Sequence, residues 1–569
     1  MKKRIATLLA ASLLFSVIAA CSPGETGDGT TTTTTTANGA EATVDTTDSA
    51  AETGDTPGTD PSTGGGTGIV NIGSTDPIGT MNPLLLDATE INKYSLGMSY
   101  MPLVELDNDL EFVPMLAESV TTEDNITYTV TIDERATWSD GEPITSDDLI
   151  FTMLRMGSRT IANASNSMLY MVKGFGEDGF IDDDATEAEG LVRVDDKTVD
   201  IVMQDRMPMN TFMNTYARYI FVLPQHVLGD VEATDLQTHS FFNAPTAVSG
   251  PYVLTQLDGQ HYATFEANEN FWLGAPKISN LNIRVVQGSS LVSALSSGEI
   301  DFVQQTFGQI PQVDQPTVDA MDHIETVYEE PLTNQLVFMN TETLPDVRVR
   351  QAIVHAIDRE AIVENFLDGH GEVVDGFLTS YSPYFDDDME ITPYDPDRAQ
   401  ELLEEAEWDG SQTLTFKINS GDTTFTQIAN VIVQQLGAVG INAQVQMQDL
   451  NSLLASAGGN DFDLLAIQYT LAPVDPYPDM DWLVGGDGNN WVSYQSDEMA
   501  GYLADSQSAE DDDGIFEAFS NVNRLVQEDA PLFNAYVIAS MGAVNERLEN
   551  AEPRSYGSFI NVHEWEIED

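Results

Sequence analysis

An α/β fold is predicted by this chain on three observations. Helix-period and strand-period segments interleave from Gly68 onward, turn and capping residues mark their ends, and no tandem repeat or second membrane-length apolar run breaks the pattern. Taken in order, Tyr128, Val130 and Ile132 alternate with Thr127, Thr129 and Thr131, the period of a half-buried strand. Asp140-Gly141 marks a turn. Thr145 and Asp148 make a capping box, each side chain answering the other's backbone N–H, which opens a helix through Leu149, Phe151 and Leu154. Asp346 caps a helix whose Val349, Ala352, Ile353, Ala356, Ile357 and Phe366 form one apolar stripe. Asp395 caps another, with Pro396 at its first position and Ala399, Leu402, Leu403 and Ala406 on its buried side. Phe425 to Leu436 predicts a fourth helix, broken by Gly437 and Gly440, after which Ile441, Ala443, Val445 and Met447 alternate as a strand.

Ahead of this body stand a leader and a linker. Lys2, Lys3 and Arg4 precede an apolar stretch from Ile5 to Ala20, which at sixteen residues is short of the ~20 a spanning helix needs and reads as an export signal over residues 1–20. Cys21 follows Ala19-Ala20 and is the only cysteine, so no intramolecular disulfide is open to it. Ile18-Ala19-Ala20-Cys21 resembles the lipobox of bacterial lipoproteins, which implies diacylation of Cys21; the alternative is a free thiol in an ordinary signal peptide. Residues 22–68 lack Lys, Arg, Leu, Phe, Trp and Tyr and are rich in Thr, Gly and acids, with a run from Thr30 to Thr36. Such a segment buries too little apolar surface to offset its ordering entropy, which predicts a disordered tether spanning ~40 Å. The Thr-rich stretch also leaves O-glycosylation open.

Charge narrows the setting. Asp and Glu number 93 against 22 Lys and Arg, a formal charge of −71, yet 41% of residues are hydrophobic. A folded protein so acidic repels itself unless salt screens it, and at 1 M salt the Debye length is ~3 Å; a saline habitat is the expectation. A calcium-binding surface is disfavoured because no Asp-x-Asp-x-Asp-Gly loop occurs. Nucleic acid is excluded as a partner for want of clustered cations. Roughly 500 residues beyond the linker imply several domains.

Catalytic signals are sparse. None of the seven histidines, at 226, 239, 261, 323, 355, 370 and 563, pairs with another at metal-ligand spacing, and no thiol is available in the body, so no metal or other cofactor is expected. Neither a Gly-x-Ser-x-Gly elbow nor a Walker loop is present. Gly174-Phe175-Gly176-Glu177-Asp178-Gly179 satisfies Gly-x-Gly-x-x-Gly, but Asp182-Asp183-Asp184 follows it where a phosphate would be repelled; a surface loop is the reading. His355 beside its helix's apolar stripe reads as structural. Not an enzyme is the expectation, with a tethered hydrolase as the remote alternative.

Several segments, in order, resemble the family 5 extracellular solute-binding proteins of peptide-type ABC importers. These are Pro114-Met115-Leu116-Ala117-Glu118-Ser119; Tyr128-Thr129-Val130 through Trp138-Ser139-Asp140-Gly141-Glu142-Pro143-Ile144-Thr145-Ser146-Asp147-Asp148; Leu223-Pro224-Gln225-His226; Ser249-Gly250-Pro251-Tyr252; and Asn268 with Phe271-Trp272. Then come Leu295-Ser296-Ser297-Gly298-Glu299-Ile300-Asp301, Asp346 through Ile353 with Ala356-Ile357-Asp358-Arg359, Tyr394-Asp395-Pro396 and Glu528-Asp529-Ala530-Pro531. Each piece is weak and their colinearity is strong. The resemblance implies a bilobal periplasmic-binding-protein-like fold (type II, cluster C) with an extra domain inserted in the first lobe. It places lobe 1 at 69–103, 247–335 and 541–569, the inserted domain at 104–246 and lobe 2 at 336–540, with hinge crossings near Pro331 to Asn340 and Pro531 to Met541. It implies a monomeric, lipid-anchored, extracytoplasmic receptor that hands peptides to a membrane permease. A receptor of the same fold for an oligosaccharide, opine or metal chelate is the alternative.

Ligand residues are expected on the strand ending Ile467-Gln468-Tyr469 and just after it. In dipeptide-type members an aspartate three residues before an Asp-Pro pair holds the ligand's α-ammonium; here the pair is Asp475-Pro476 and that position is Ala472, so the anchor is missing. Tyr469, Asp475, Tyr477, Asn490 and Trp491 are the candidate wall residues, against readings in which Asp475 caps a turn and the others are ordinary packing. The wall reading predicts that longer peptides bind better than dipeptides and that blocking the N-terminal amine costs little.

Overall fold

The computed structural model describes residues 68–568 apart from 87–88, 162–163, 486–489 and 510. The leader, Cys21 and the tether lie outside the described residues. Three sheets organise the rest. A seven-stranded sheet has the order Ile324–Tyr328, Met541–Asn545, Phe302–Val303, Ile69–Ser74, Asn280–Val285, Tyr262–Ala267, Tyr252–Asp258. Ile69–Ser74 runs parallel to both neighbours, and the remaining pairs are antiparallel. A four-stranded antiparallel sheet, Ala117–Thr121, Thr127–Ile132, Thr198–Val202, Leu191–Arg193, comes from chain lying between the first strand of the larger sheet and its next. Val70 and Ile72 of the large sheet and Tyr128, Val130 and Ile132 of the small one belong to one continuous core, so the two sheets form one lobe.

The second lobe is built on a six-stranded sheet, Gly371–Glu372, Leu532–Ile538, Thr333–Met339, Leu464–Thr470, Thr413–Asn419, Asn442–Gln448. Its strand Thr333–Met339 is buried throughout because both faces are covered. Val337 and Met339 point into one core, Leu336 and Phe338 into another.

The chain crosses between lobes twice, through residues 329–332 and 539–540. These two short passages are tied together: the Glu329 N–H donates to Ser540 O at 3.0 Å, and the Leu332 N–H to Ile538 O at 3.2 Å. The expected segment 531–541 contains the second crossing and 331–340 only the end of the first; most of each is strand.

Local signals held where they rested on side-chain chemistry. Thr127–Ile132 alternates half-buried and buried residues, and the Thr145/Asp148 capping box is formed. Asp346 and Asp395 cap their helices by accepting from the N–H groups of Arg348 and Arg398. The 174–179 segment closes as a hydrogen-bonded loop, Gly176 N–H to Phe180 O at 2.8 Å. His355 Nδ1 meets Pro393 O at 3.0 Å.

Two expectations are corrected. The stripe from Val349 to Phe366 is two helices, Val347–His355 and Arg359–Phe366, because Asp358 caps the second through the Ala361 N–H at 3.0 Å. The apolar periodicity survives the break because Ile353, Ile357 and Ile362 all reach the same core. The Phe425 helix runs Thr423–Ala438, with Gly437 inside its last turn; the reversal falls at Gly440, whose φ of +95° suits glycine. Among the described residues, no helix is long and apolar enough to cross a membrane.

Candidate functional site between the lobes

Strand Leu464–Thr470 pairs with Thr333–Met339 so that Tyr469 lies opposite Asn334, next to the first crossing. Its phenol is buried and donates to Asp479 Oδ1 at 2.7 Å. The chain then turns through Ala472 to Asp475, whose N–H donates to Ala472 O at 3.2 Å, and enters the helix Tyr477–Val484. Pro476 at the helix start removes a donor, and no side chain caps this helix. Asp475 therefore does not cap this helix.

Asp475 is instead a buried acid, 5% exposed, turned toward the other lobe. Its Oδ1 accepts from the Thr211 hydroxyl at 3.2 Å, while its Oδ2 is buried without a hydrogen-bond partner. Burial pushes its carboxyl up to about 7; the Thr211 bond opposes that rise and the Asp479 charge adds to it. Asp479 comes to the same place one helical turn later. Its Oδ2 accepts from the Ala472 N–H at 3.3 Å, and burial raises its carboxyl to about 6 against the bonds from Tyr469 and Ala472. Among the described residues, neither carboxylate has a Lys, Arg or His partner.

Across from them, Thr211 and Asn210 sit on the short helix Met209–Phe212 of the first lobe. Asn210 Nδ2 donates to the Tyr384 hydroxyl at 3.1 Å, and that hydroxyl donates to Val474 O at 3.4 Å. Tyr381 reaches from the second lobe to Asn108 O at 2.7 Å and lies against the Tyr556 ring at 6.5 Å. Behind Tyr556 the Arg218 guanidinium covers the ring at 5.5 Å. Tyrosines thus bridge the two lobes around the acids.

The expected wall residues divide. Tyr469 and Asp475 meet around Asp479, and Tyr477, half-buried, feels the Asp475 charge. Asn490 and Trp491 make their described contacts within the second lobe. Asn490 uses its amide inside its own loop, donating to Gly485 O and Tyr494 O at 2.8 Å each and accepting from the Tyr494 N–H at 2.9 Å. Trp491 packs edge-on against Phe338 at 5.5 Å and Trp482 at 4.3 Å in the interior of the second lobe.

Residues 111–491, more than half the chain, match the bacterial extracellular solute-binding proteins, family 5 Middle. The chain belongs to this family. Among its family 5 relatives, the oligopeptide-binding protein AppA of Bacillus subtilis (strain 168) is 25% identical over 490 residues, 82% of this chain and 86% of that protein. The nickel-binding periplasmic protein of Escherichia coli (strain K12) is 22% identical over 421 residues, 70% of this chain and 75% of that protein. The same bilobal fold is found in the structure of CtaP from Listeria monocytogenes, with a TM-score of 0.75 at 23% identity, covering 89% of this chain and 100% of that one. The structure of Bacillus subtilis AppA in complex with a nonapeptide gives 0.68 at 23% identity, covering 88% and 99%.

Within family 5 the acid at 479 is the residue that sequence reasoning missed. It lies four positions after Asp475 at the start of a helix, which places both on adjacent turns, but 93 acids in the chain gave no reason to single it out. Thr211 and Tyr556 were missed for a different reason: they join the site only through the meeting of the two lobes, while Tyr381 and Tyr384 reach it from a distant stretch of the second lobe.

Proposed function

We propose that this protein is the receptor of an ABC importer, capturing peptides between its lobes and delivering them to the membrane permease. It acts as a monomer without catalytic activity, lipid-anchored at Cys21 on the extracytoplasmic face of the cell membrane. Lobe 1 then comprises 69–103, 247–335 and 541–569, with 104–246 inserted and 336–540 as lobe 2; closure turns on the paired crossings. The observation that carries this reading is the interlobe surface itself, where tyrosines of both lobes, polar groups of the first and acids of the second converge with hydrogen-bonding groups and apolar faces at once. The likeness to AppA, whose structure holds a nonapeptide, supports peptides as the solute class.

The test is a thermal-shift screen of purified protein with peptides of two to nine residues, because a ligand at 100 times its Kd adds ~2.7 kcal/mol of stability. The expected result is a shift with peptides, larger for longer ones. A second reading, a metal chelate, draws on the likeness to the nickel-binding relative. Among the described residues no group of three or more His, Cys, Asp or Glu could hold a bare metal ion, so the solute in that reading is a chelate. A shift with nickel–histidine and none with any peptide would replace the first reading by this one.

A further inference from the structure

The two passages between the lobes are flanked by a pair of stacked rings. Tyr328 ends the strand Ile324–Tyr328, at one edge of the seven-stranded sheet, immediately before the first crossing. His370 precedes the strand Gly371–Glu372, at one edge of the six-stranded sheet, and its carbonyl accepts the Ala539 N–H of the second crossing at 3.4 Å. The two rings lie face to face, with centroids 3.7 Å apart and planes 3° from parallel. One ring belongs to each lobe, so a turn about residues 329–332 and 539–540 tilts one plane against the other. A gap of ~0.5–1 Å already forfeits a quarter to a half of a contact's dispersion energy, so the stack is sensitive to the hinge angle.

The charges around the stack are of one sign. From the first lobe, Asp319 accepts the Tyr328 hydroxyl at 2.9 Å and the Thr326 hydroxyl at 2.6 Å, and Glu329 and Glu330 occupy the crossing itself. From the second lobe, the Asp368 charge acts on Tyr328, and Glu372 accepts the Ser380 N–H at 2.9 Å while feeling the Glu330 charge. Arg554 acts on Glu329 but is ion-paired with Glu552. Among the described residues, none of Asp319, Glu329, Glu330, Asp368 and Glu372 has a Lys or Arg ion pair. Acids of both lobes thus meet at the hinge, and His370 is the side chain there that becomes positive by taking a proton.

We propose that the Tyr328–His370 stack is a proton-sensitive clasp on the hinge. With a charged imidazole it holds the lobes in their touching arrangement; with a neutral one it lets them part more readily. A charged ring adds a cation–π contact to the Tyr328 face and attracts the first-lobe acids. A neutral ring keeps only the stack, while Asp368 and Glu372 still repel Asp319, Glu329 and Glu330 across the hinge. The proton is exchanged with solvent, and no bond but the ring N–H forms or breaks. Imidazole is the side chain whose charge ordinarily changes between pH 5 and 8, so the clasp weakens as pH rises through that range.

Other groups bear on the same profile. Burial raises the carboxyls of Glu329 and Glu372, with bonds from Ser555 and Ser380 opposing, and it raises those of Asp475 and Asp479. Burial, the bond to Asp319 and the Asp319 and Asp368 charges keep the Tyr328 phenol protonated. A ring of the same shape that takes no proton separates His370 from all of these. The clasp acts on the lobes whatever solute they hold, so it stands or falls apart from the peptide reading.

The experiment places fluorophores on ligand-free full-length protein through Glu123→Cys in the first lobe and Ala504→Cys in the second, both exposed positions, in a Cys21→Ser background. Energy transfer between them reads the ratio of touching to parted molecules at pH 5.5 and 8. From pH 5.5 to 8 that ratio should fall about 3-fold more with the wild-type hinge than in His370→Phe, the factor of an exposed cation–π contact. His370→Ala and Tyr328→Leu should each lower the ratio at pH 5.5, and the double variant should fall short of the sum of the two effects. An equal pH response in wild type and His370→Phe gives the proton to the neighbouring acids and overturns the clasp. A ratio at pH 5.5 that His370→Ala leaves untouched overturns it too, as does a double variant that reaches the full sum.

Discussion

Two buried charge clusters face each other across the lobes of this protein, and they are solved in opposite ways. In the first lobe Glu105 sits between two cations: Lys93 Nζ at 2.7 Å and Arg218 Nε at 2.7 Å. Burial alone would raise its carboxyl, but Arg218 and Lys93 outweigh that and hold it at about 2. Tyr94 and Tyr219 line the Lys93 ammonium at 5.0 and 5.4 Å. In the second lobe Asp475 is as deeply buried and Asp479 partly so; among the described residues neither has a cation partner, and burial raises their carboxyls to about 7 and about 6. A cluster that closes its own charge is architecture. One that leaves its charge open keeps a desolvation cost that a proton or an incoming cation relieves.

The largest break in this comparison comes from opening the closed cluster. Glu105→Gln leaves Lys93 and Arg218, 2% and 3% exposed, without their shared carboxylate. Removing one member of a buried ion cluster typically costs ~3–5 kcal/mol. A drop of that size in denaturant unfolding free energy is expected, with partial recovery when Lys93→Met is added. A loss under ~1 kcal/mol would mean that water reaches the cluster and that the contrast with Asp475 is only apparent.

Closing the open cluster should have the reverse effect. Asp475 holds its proton in the folded state up to about pH 7 but loses it near 3.9 when unfolded. Between those values the folded state binds more protons, so stability falls as pH rises from about 4 to 7; Asp479 adds the same sign between about 4 and 6. Asp475→Asn removes the penalty while keeping the shape. Ligand-free Asp475→Asn should therefore be more stable than wild type at pH 8, by on the order of 2–4 kcal/mol, and nearly equal to it at pH 4. Equal stabilities at both pH values would show that the acid is not charged and unpaired in the folded protein.

Much of the fold was legible in the sequence because its signals are local. Asp346, Asp395 and Thr145 act within four residues of themselves, and the alternation of Thr127 to Ile132 needs only one covered sheet face. The break at Asp358 was hidden because the apolar stripe continues across two helices packed on one core. The site was half legible for the same reason. Tyr469 and Asp475 lie on a continuous stretch of chain with a family resemblance. Asn490 and Trp491, on the same resemblance, have their described contacts inside the second lobe, and nothing local in the sequence distinguishes a wall from an interior. Tyr384 is 91 residues from Asp475 and joins it once the second lobe has folded, whereas Thr211, 264 residues away, meets it only after both lobes have folded.

Outside the clusters, the charge is spread over the whole surface, and here salt is the probe. With a formal charge of −71, raising sodium chloride from low to molar concentration should raise the melting temperature by a few degrees, or ~1–2 kcal/mol, through screened repulsion. Sodium sulfate at matched ionic strength measures the general salting-out part. The closed Lys93–Glu105–Arg218 cluster should not share in this response, since salt does not reach it; Glu105→Gln should lose the same free energy at both salt concentrations. A melting temperature indifferent to sodium chloride would remove the acidic surface as an adaptation.

The smallest expected effect sharpens the contrast from a third side. Asp148 is also buried, at 4% exposed, and also has no cation, yet it is not an open site. Its two oxygens are both met by backbone N–H groups, Thr145 at 2.8 Å and Gln225 at 2.8 Å, and it stands in the first turn of the helix Ser146–Met156, where the dipole favours a negative charge. Burial nevertheless raises its carboxyl, with those N–H bonds opposing. Asp148→Asn keeps one acceptor, trades the other for an NH₂ that meets a donor, and gives up the dipole interaction. Loss of a cap of this kind costs ~1 kcal/mol, so a fall of that order is expected in thermal or denaturant unfolding, at pH 8, where Asp475→Asn should stabilise. Opposite signs for the same chemical change at two equally buried aspartates would establish that missing donors and cations, rather than burial, are what set Asp475 apart. The same sign at both would leave burial as the whole explanation.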